Sequence, residues 1–166
     1  MTQTPMKDLI QKIRNQTHAG YSDIKEALEA SGGDEAAALA ALQEKGAAMV
    51  AKRADRAAGE GWIGSYVHAN GKIAALVKLA CETDFVARNK DFQELAHDLA
   101  MHVAASDPWY VTSDEVPEGE EVPREHILMD QEFVKDGSKT VRDLITAATA
   151  KIGEKIEIAG FSRMEV

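Results

Sequence analysis

The chain has 166 residues, 45% of them hydrophobic, and a formal net charge of −9 at pH 7, enough apolar content for one folded domain or two small ones. The acidic balance argues against nucleic acid as a direct ligand, because neutralising phosphate needs clustered Lys and Arg, and no apolar run reaches the length of a membrane span. A single cysteine, Cys81, excludes an internal disulfide framework and a cysteine-based zinc cluster, and fits a reducing, cytoplasmic setting.

Residues 1–12 carry Lys7, Asp8 and Lys12 and have no apolar centre of the signal-peptide kind. Met6, Leu9, Ile10 and Ile13 instead recur at helical spacing. Ala19-Gly20 breaks that pattern, and Ser22 is a cap for a second helix with Asp23 and Glu26 in its first turn, where the helix dipole favours acids. Ile24, Ala27 and Leu28 give it an apolar face, and Gly32-Gly33 ends it. Asp34 caps a third helix, with Leu39 and Leu42 inward and Gly46 as its stop. Residues 47–60 are rich in Ala, Lys and Arg and include a small basic cluster, Lys52, Arg53 and Arg56. They read as a solvated connection, helical in its first half. The boundaries predicted are a three-helix domain over 1–50, a linker over 51–60 and an α+β core over 61–166.

At Trp62 the period changes. Trp62–His68 and Lys72–Glu82 flank Asn70-Gly71, a dipeptide suited to the two positive-φ positions of a tight hairpin. With that loop, Trp62, Gly64, Tyr66 and His68 share a face with Leu79, Val77, Ala75 and Ile73. The odd positions from Ile73 to Cys81 are all apolar, so this is the buried face and Cys81 is an inert core thiol. Next, Asn89 caps a helix with an apolar stripe of Phe92, Leu95, Ala96, Leu99 and Val103, stopped at Asp107-Pro108. Residues 109–137 hold Pro117, Pro123 and several acids and read mostly as loop. Thr140-Val141-Arg142-Asp143 resembles a capping box opening a last helix through Val141, Leu144, Ile145, Ala148 and Ile152, which Gly153 stops. Ile156, Ile158, Met164 and Val166 alternate as a closing strand; a bulge at Gly160 accounts for Phe161 falling out of phase. The core is thus β-β-α-α-β, a small antiparallel sheet with helices on one face. Leu76, Phe161, Ala74 and Ala80 point the other way, and that surface needs a cover. A second copy of the chain would supply one, which predicts a homodimer through the core.

Enzyme signatures are absent. Gly59, Gly61 and Gly64 precede a strand and do not form a phosphate loop between strand and helix. There is no G-x-S-x-G elbow. The histidines are scattered, and His97 and His102, five apart, face different sides of a helix, so neither metal nor cofactor is expected. His102 borders the apolar stripe and reads as a packed structural residue. What remains is Thr83-Asp84-Phe85-Val86, where a buried strand gives way to a helix. An acid and a large aromatic at a loop tip can anchor an interface. The residues alone favour a blander role, with Phe85 a staple on the following helix and Asp84 a cap or solvated acid.

The same stretch resembles a known signature. Cys81-Glu82-Thr83-Asp84-Phe85-Val86-Ala87-Arg88 looks like that of the elongation factor Ts family. So, at matching spacing, do Ile13-Arg14-Asn15-Gln16-Thr17-His18-Ala19-Gly20, Asp23-Ile24-Lys25-Glu26-Ala27-Leu28, Gly33-Asp34 and Lys45-Gly46, which are similar to the family's ubiquitin-associated-like domain. Met101-His102-Val103-Ala104-Ala105 and Phe161-Ser162-Arg163-Met164-Glu165-Val166 extend the resemblance over nearly the whole chain. It implies a non-enzymatic guanine-nucleotide exchange factor that promotes GDP release from elongation factor Tu. In that reading the N-terminal domain grips the partner through Lys25. Asp84 and Phe85, flanked by Thr83 and Val86, wedge beside the nucleotide and disturb the partner's magnesium, and His102 is a core contact. The form is short, with one half-core where many members have two. The competing reading from the three helices alone is a ubiquitin-associated-type adaptor without exchange activity.

Overall fold

The computed structural model describes residues 5–17 and 19–166; His18 of the N-terminal motif lies outside them. The described residues form two compact units. One runs to Asp55 and takes in Thr146–Glu154; the other comprises Arg56–Ile145 and Lys155–Val166.

The first unit holds α1 (Met6–Thr17), α2 (Tyr21–Ala30) and α3 (Glu35–Arg53). Ile10, Ile13, Ile24, Ala27, Leu28 and Ala38 make its core, with Leu9, Ala19, Leu39 and Leu42 packed against them. Asp34 caps α3 as expected, its carboxylate accepting the Ala37 N–H at 2.9 Å. Ser22 does not cap α2, which begins one residue earlier behind Gly20. Nor does Gly46 stop α3. The helix runs through it to Arg53, because this glycine is a packing position: it is buried, and a Cβ there would lie 3.0 Å from Thr146 Cγ2 and 3.9 Å from the Ala150 Cβ.

In the second unit β1 (Glu60–Val67), β2 (Ile73–Cys81) and β5 (Ile156–Glu165) form an antiparallel sheet in the order β1-β2-β5. The register is the one read from the hairpin, with Trp62 opposite Leu79, Gly64 opposite Val77 and Tyr66 opposite Ala75. Val77, Leu79 and Cys81 are fully buried. α5 (Lys90–Ser106) crosses this face. It approaches so closely at Gly64 that a Cβ there would sit 2.1 Å from the Ala96 carbonyl oxygen. Phe92, Ala96, Leu99 and Val103 are its buried stripe. Asn89 caps one end, and Asp107 ends the other at a positive φ of 47°.

The loop expected over 109–137 contains more than loop. Short 3-10 turns occur at Ser113–Glu115, Arg124–His126 and Leu128–Asp130, and a small hairpin, β3 (Glu132–Phe133) with β4 (Asp136–Thr140), leads into α6 (Val141–Ile152). The capping box at Thr140 and Asp143 forms reciprocally: Thr140 Oγ1 and N–H donate to Asp143 Oδ2, and the Asp143 N–H donates to Thr140 Oγ1. The bulge in β5 forms too, but with the opposite consequence for phase. Ile158 pairs with Leu79 and Gly160 with Lys78, so one extra residue intervenes. Beyond it Phe161 stands opposite Val77 and Arg163 opposite Ala75, on the helix side of the sheet. Arg163 Nε there donates to the Ala104 carbonyl of α5 at 3.2 Å. Phe161 is therefore not an outward residue, and Met164, expected inward, is exposed. Ala80, expected outward, is buried. The apolar residues left open on the outer face are Ile63, Val67, Leu76 and Met164.

Candidate functional site

The Thr83–Arg88 segment follows the last, fully buried residue of β2. Cys81 Sγ donates to the Thr83 carbonyl at 3.2 Å, so the core thiol also anchors the turn. Thr83 adopts an extended backbone and its hydroxyl accepts the Val86 N–H, capping a one-turn helix, α4 (Asp84–Ala87). Ala87 is buried beneath it. At the other end Gln93 Nε2 donates to the Ala87 carbonyl at 3.2 Å, and the Arg88 N–H returns to Asp84 O at 3.0 Å. Polar groups that a helix end leaves unpaired are thus supplied with partners.

Phe85 sits on this braced turn and is 82% exposed. The staple reading fails. Holding a phenyl ring in water forgoes about 1.5–3 kcal/mol of burial, and nothing in the fold gains from it. Asp84 is partly exposed beside it and pairs with Arg88 Nη2 at 3.0 Å. An exposed i, i+4 pair of this kind contributes only about 0.3–0.5 kcal/mol, so the turn is held by its caps and not by the ion pair. The pair, not read from the sequence, has a local signal in the four-residue spacing of opposite charges. Val86 is half-buried beside Phe85.

The other two candidate residues lie apart from this turn. Lys25 is on the exposed side of α2, away from Ile24, Ala27 and Leu28, with Glu29 Oε1 at 3.6 Å. His102 is 1% exposed. Its Nε2 faces Gln131 Oε1 at 2.9 Å, and its Nδ1 faces the Val134 N–H at 3.2 Å. Because the backbone N–H can only donate, Nδ1 is the acceptor and Nε2 carries the proton. Burial pushes its pKa below the ordinary 6.5, against a smaller upward pull from Gln131. The Gln131 amide in turn donates to the carbonyls of Ser106 (3.3 Å) and Glu125 (2.6 Å). His102 thus ties α5 to the segment leading into the β3–β4 hairpin.

The residue that reasoning from sequence passed over is Glu82, three positions before the signature aromatic. Its Oε1 accepts the Lys155 backbone N–H at 2.6 Å and its Oε2 pairs with Arg56 Nη1 at 3.1 Å. No pattern along the chain links these three positions, so only the fold reveals them. Among the described residues no three His, Cys, Asp or Glu side chains are grouped to hold a metal ion, and no helix is long and apolar enough to cross a membrane.

An exposed aromatic on a doubly capped turn, beside an acid, is equipped to make a contact. The family model described as elongation factor TS matches residues 3–124. Curated proteins named elongation factor Ts are similar throughout. The one from Herpetosiphon aurantiacus is 41% identical over 190 aligned positions, covering 96% of this chain and 96% of the relative. That from Frankia alni is 42% identical over 193 positions, covering 95% of each. The Thermotoga neapolitana protein is 43% identical over 188, covering 96% of this chain and 95% of its own length. Each alignment is longer than the 166-residue chain, so these relatives carry insertions that this one lacks. The chain belongs to the elongation factor Ts family, the nucleotide exchange factors of elongation factor Tu.

Proposed function

We propose that Asp84 and Phe85 are the wedge by which this protein drives GDP from elongation factor Tu, with Thr83 and Val86 holding the wedge in shape. The observation that carries this reading is Phe85 itself, presented to solvent on a doubly capped turn. Exchange needs no bond-making residue. A factor that binds the nucleotide-free partner more tightly than the GDP-bound one weakens nucleotide binding by the same factor that nucleotide weakens its own. Lys25, exposed on α2, is a contact of the N-terminal helices. His102, being buried, acts by holding the 131–134 segment and not by touching the partner in this conformation. The working division is three helices that grip and a core, from residue 61 onward, that pries. The direct test is release of labelled GDP from elongation factor Tu with and without the protein. The intact chain should accelerate it and a chain beginning at Arg56 should bind much more weakly. No acceleration by the intact chain would overturn the reading.

The open outer face of the sheet favours one further element of this reading, a homodimer through the core. Ile63, Val67, Leu76 and Met164 stand exposed there, across strands of one sheet. A two-fold pairing of that face with itself would bury all four on both copies. Sedimentation across a concentration series tests it; a mass of 18.0 kDa persisting into the hundreds of micromolar would exclude it.

A further inference from the structure

We propose that Glu82 is a positioning residue for nucleotide exchange, its carboxylate fastening the wedge-bearing turn to both places where the chain enters the second unit. The inference rests on the assignment of Asp84 and Phe85 as the wedge. Arg56 is the first residue of that unit, and Lys155 is where the chain re-enters it after Thr146–Glu154. Both meet the same side chain, one on each oxygen. The location explains why a carboxylate is needed. Glu60, Cys81 and Ile156 form the last row of the sheet, and beyond it the strands have no ladder bonds to offer one another. Glu82 stands one residue past this row on the central strand and binds what precedes both neighbours. Its side chain is 16% exposed while that of Arg56 is 56% exposed, so the bond to the Lys155 N–H is the sheltered one, and a charged acceptor strengthens it.

Only Thr83 separates this carboxylate from Asp84, and two residues separate it from Phe85. The turn above is braced locally by Thr83 and Gln93, but its attachment to the sheet at this end runs through Glu82 and Cys81. Releasing Glu82 leaves the turn intact and lets it tilt as a body. A tilt of that kind lowers the rate at which bound factor expels GDP more than it lowers capture of the factor, since misplacement by about an ångström costs rate through lost orientation.

The test is a double-mutant cycle read as GDP release from elongation factor Tu at saturating factor. Phe85→Ala should lower the saturating rate about tenfold and Glu82→Ala about five- to tenfold, with the double variant within about twofold of Phe85→Ala alone, as expected when one residue acts through the other. The concentration of Glu82→Ala giving half the maximal rate should move by less than about twofold. Glu82→Gln, which keeps an acceptor for the Lys155 N–H, should recover most of the loss, and a general loss of fold would not be rescued in this way. If Glu82→Ala does not fold, Glu82→Leu, which keeps bulk at the position without an acceptor for the Lys155 N–H, carries the decision when crossed with Phe85→Ala, by the same criterion. Effects that multiply with Phe85→Ala, or a wild-type saturating rate in folded Glu82→Ala or Glu82→Leu, would overturn the role of Glu82. A silent Phe85→Ala would instead overturn the wedge assignment.

Discussion

At the scale of single residues, exposure separates Phe85 from His102. For a side chain already in water, removal costs the fold little. Phe85→Ala should therefore cut stimulated GDP release by about tenfold or more, about 1.4 kcal/mol of lost interaction, while the melting temperature moves by no more than about 2 °C. Paired activity and melting measurements check this; a large stability loss with normal exchange would return Phe85 to a packing role. His102 should show the reverse profile. Its pKa is depressed below 6.5 by burial, so as the pH falls through that value the unfolded chain takes up a proton that the native state refuses. Stability therefore decreases on acidification below about pH 6.5 and levels off once the native ring is also protonated. The charged ring has no lone pair left for the Val134 N–H, so the bond between α5 and the hairpin segment is lost with it. Denaturant titrations between pH 7 and 5 should show a steeper fall for the native sequence than for His102→Gln; equal slopes would refute this.

Among the elements, α5 lies close against β1, and Gly64 permits it. Since a Cβ would meet the backbone of Ala96, which cannot swing aside, Gly64→Ala should destabilise the protein by about 3 kcal/mol. Thermal unfolding should show this as a drop of roughly 6–12 °C; an unchanged melting temperature would mean that α5 is free to lift. The same elements show what the sequence discloses and what it withholds. The β1–β2 register is the one read from the sequence, and the unbroken alternation, a local signal, carries it: of the turn pair only Gly71 takes a positive φ, 68°, and Asn70 does not, so the tight two-residue turn expected there does not form. The capping box at Thr140 was legible because it too is local. Gly46 misled because a glycine that ends a helix and one that lets a second helix close in look alike until the partner, Thr146, is in place. In β5 the bulge at Gly160 could be read but not which residue it displaced, and that choice decides the side on which Phe161 and Arg163 fall. The β3–β4 hairpin gave too short an alternation to register. Of the site, Asp84 and Phe85 were visible as a motif, whereas the bonds of Glu82 span from Arg56 to Lys155 and belong to tertiary structure alone.

On the scale of the whole molecule, the outer face of the sheet is the surface that the chain does not cover by itself. Leu76 is on the central strand, 50% exposed, and is the position where a charge would most disturb a paired sheet. If the face joins two copies, Leu76→Glu should shift the protein to monomer at concentrations where the native chain is dimeric, because an unpaired buried carboxylate costs several kcal/mol. Its melting temperature at low concentration should stay close to native, since the position is open in the single chain. Light scattering on both proteins decides; a dimer that survives Leu76→Glu places the contact elsewhere.

The braced turn beneath Phe85 has a kinetic consequence. A wedge that had to be assembled on encounter would lose affinity in proportion to the time it spent unassembled. Here the caps at Thr83 and Gln93 are closed before any partner arrives, so no such fraction is lost and little chain entropy remains to be surrendered on docking. Association then proceeds as the collision of two ready surfaces, and changes at the tip of the turn should appear in how long the complex lasts, not in how often it forms. On the proposed wedge assignment, the tip of the turn is then a place where residence time on the partner is adjusted without altering encounter frequency, alongside the grip proposed for the N-terminal helices.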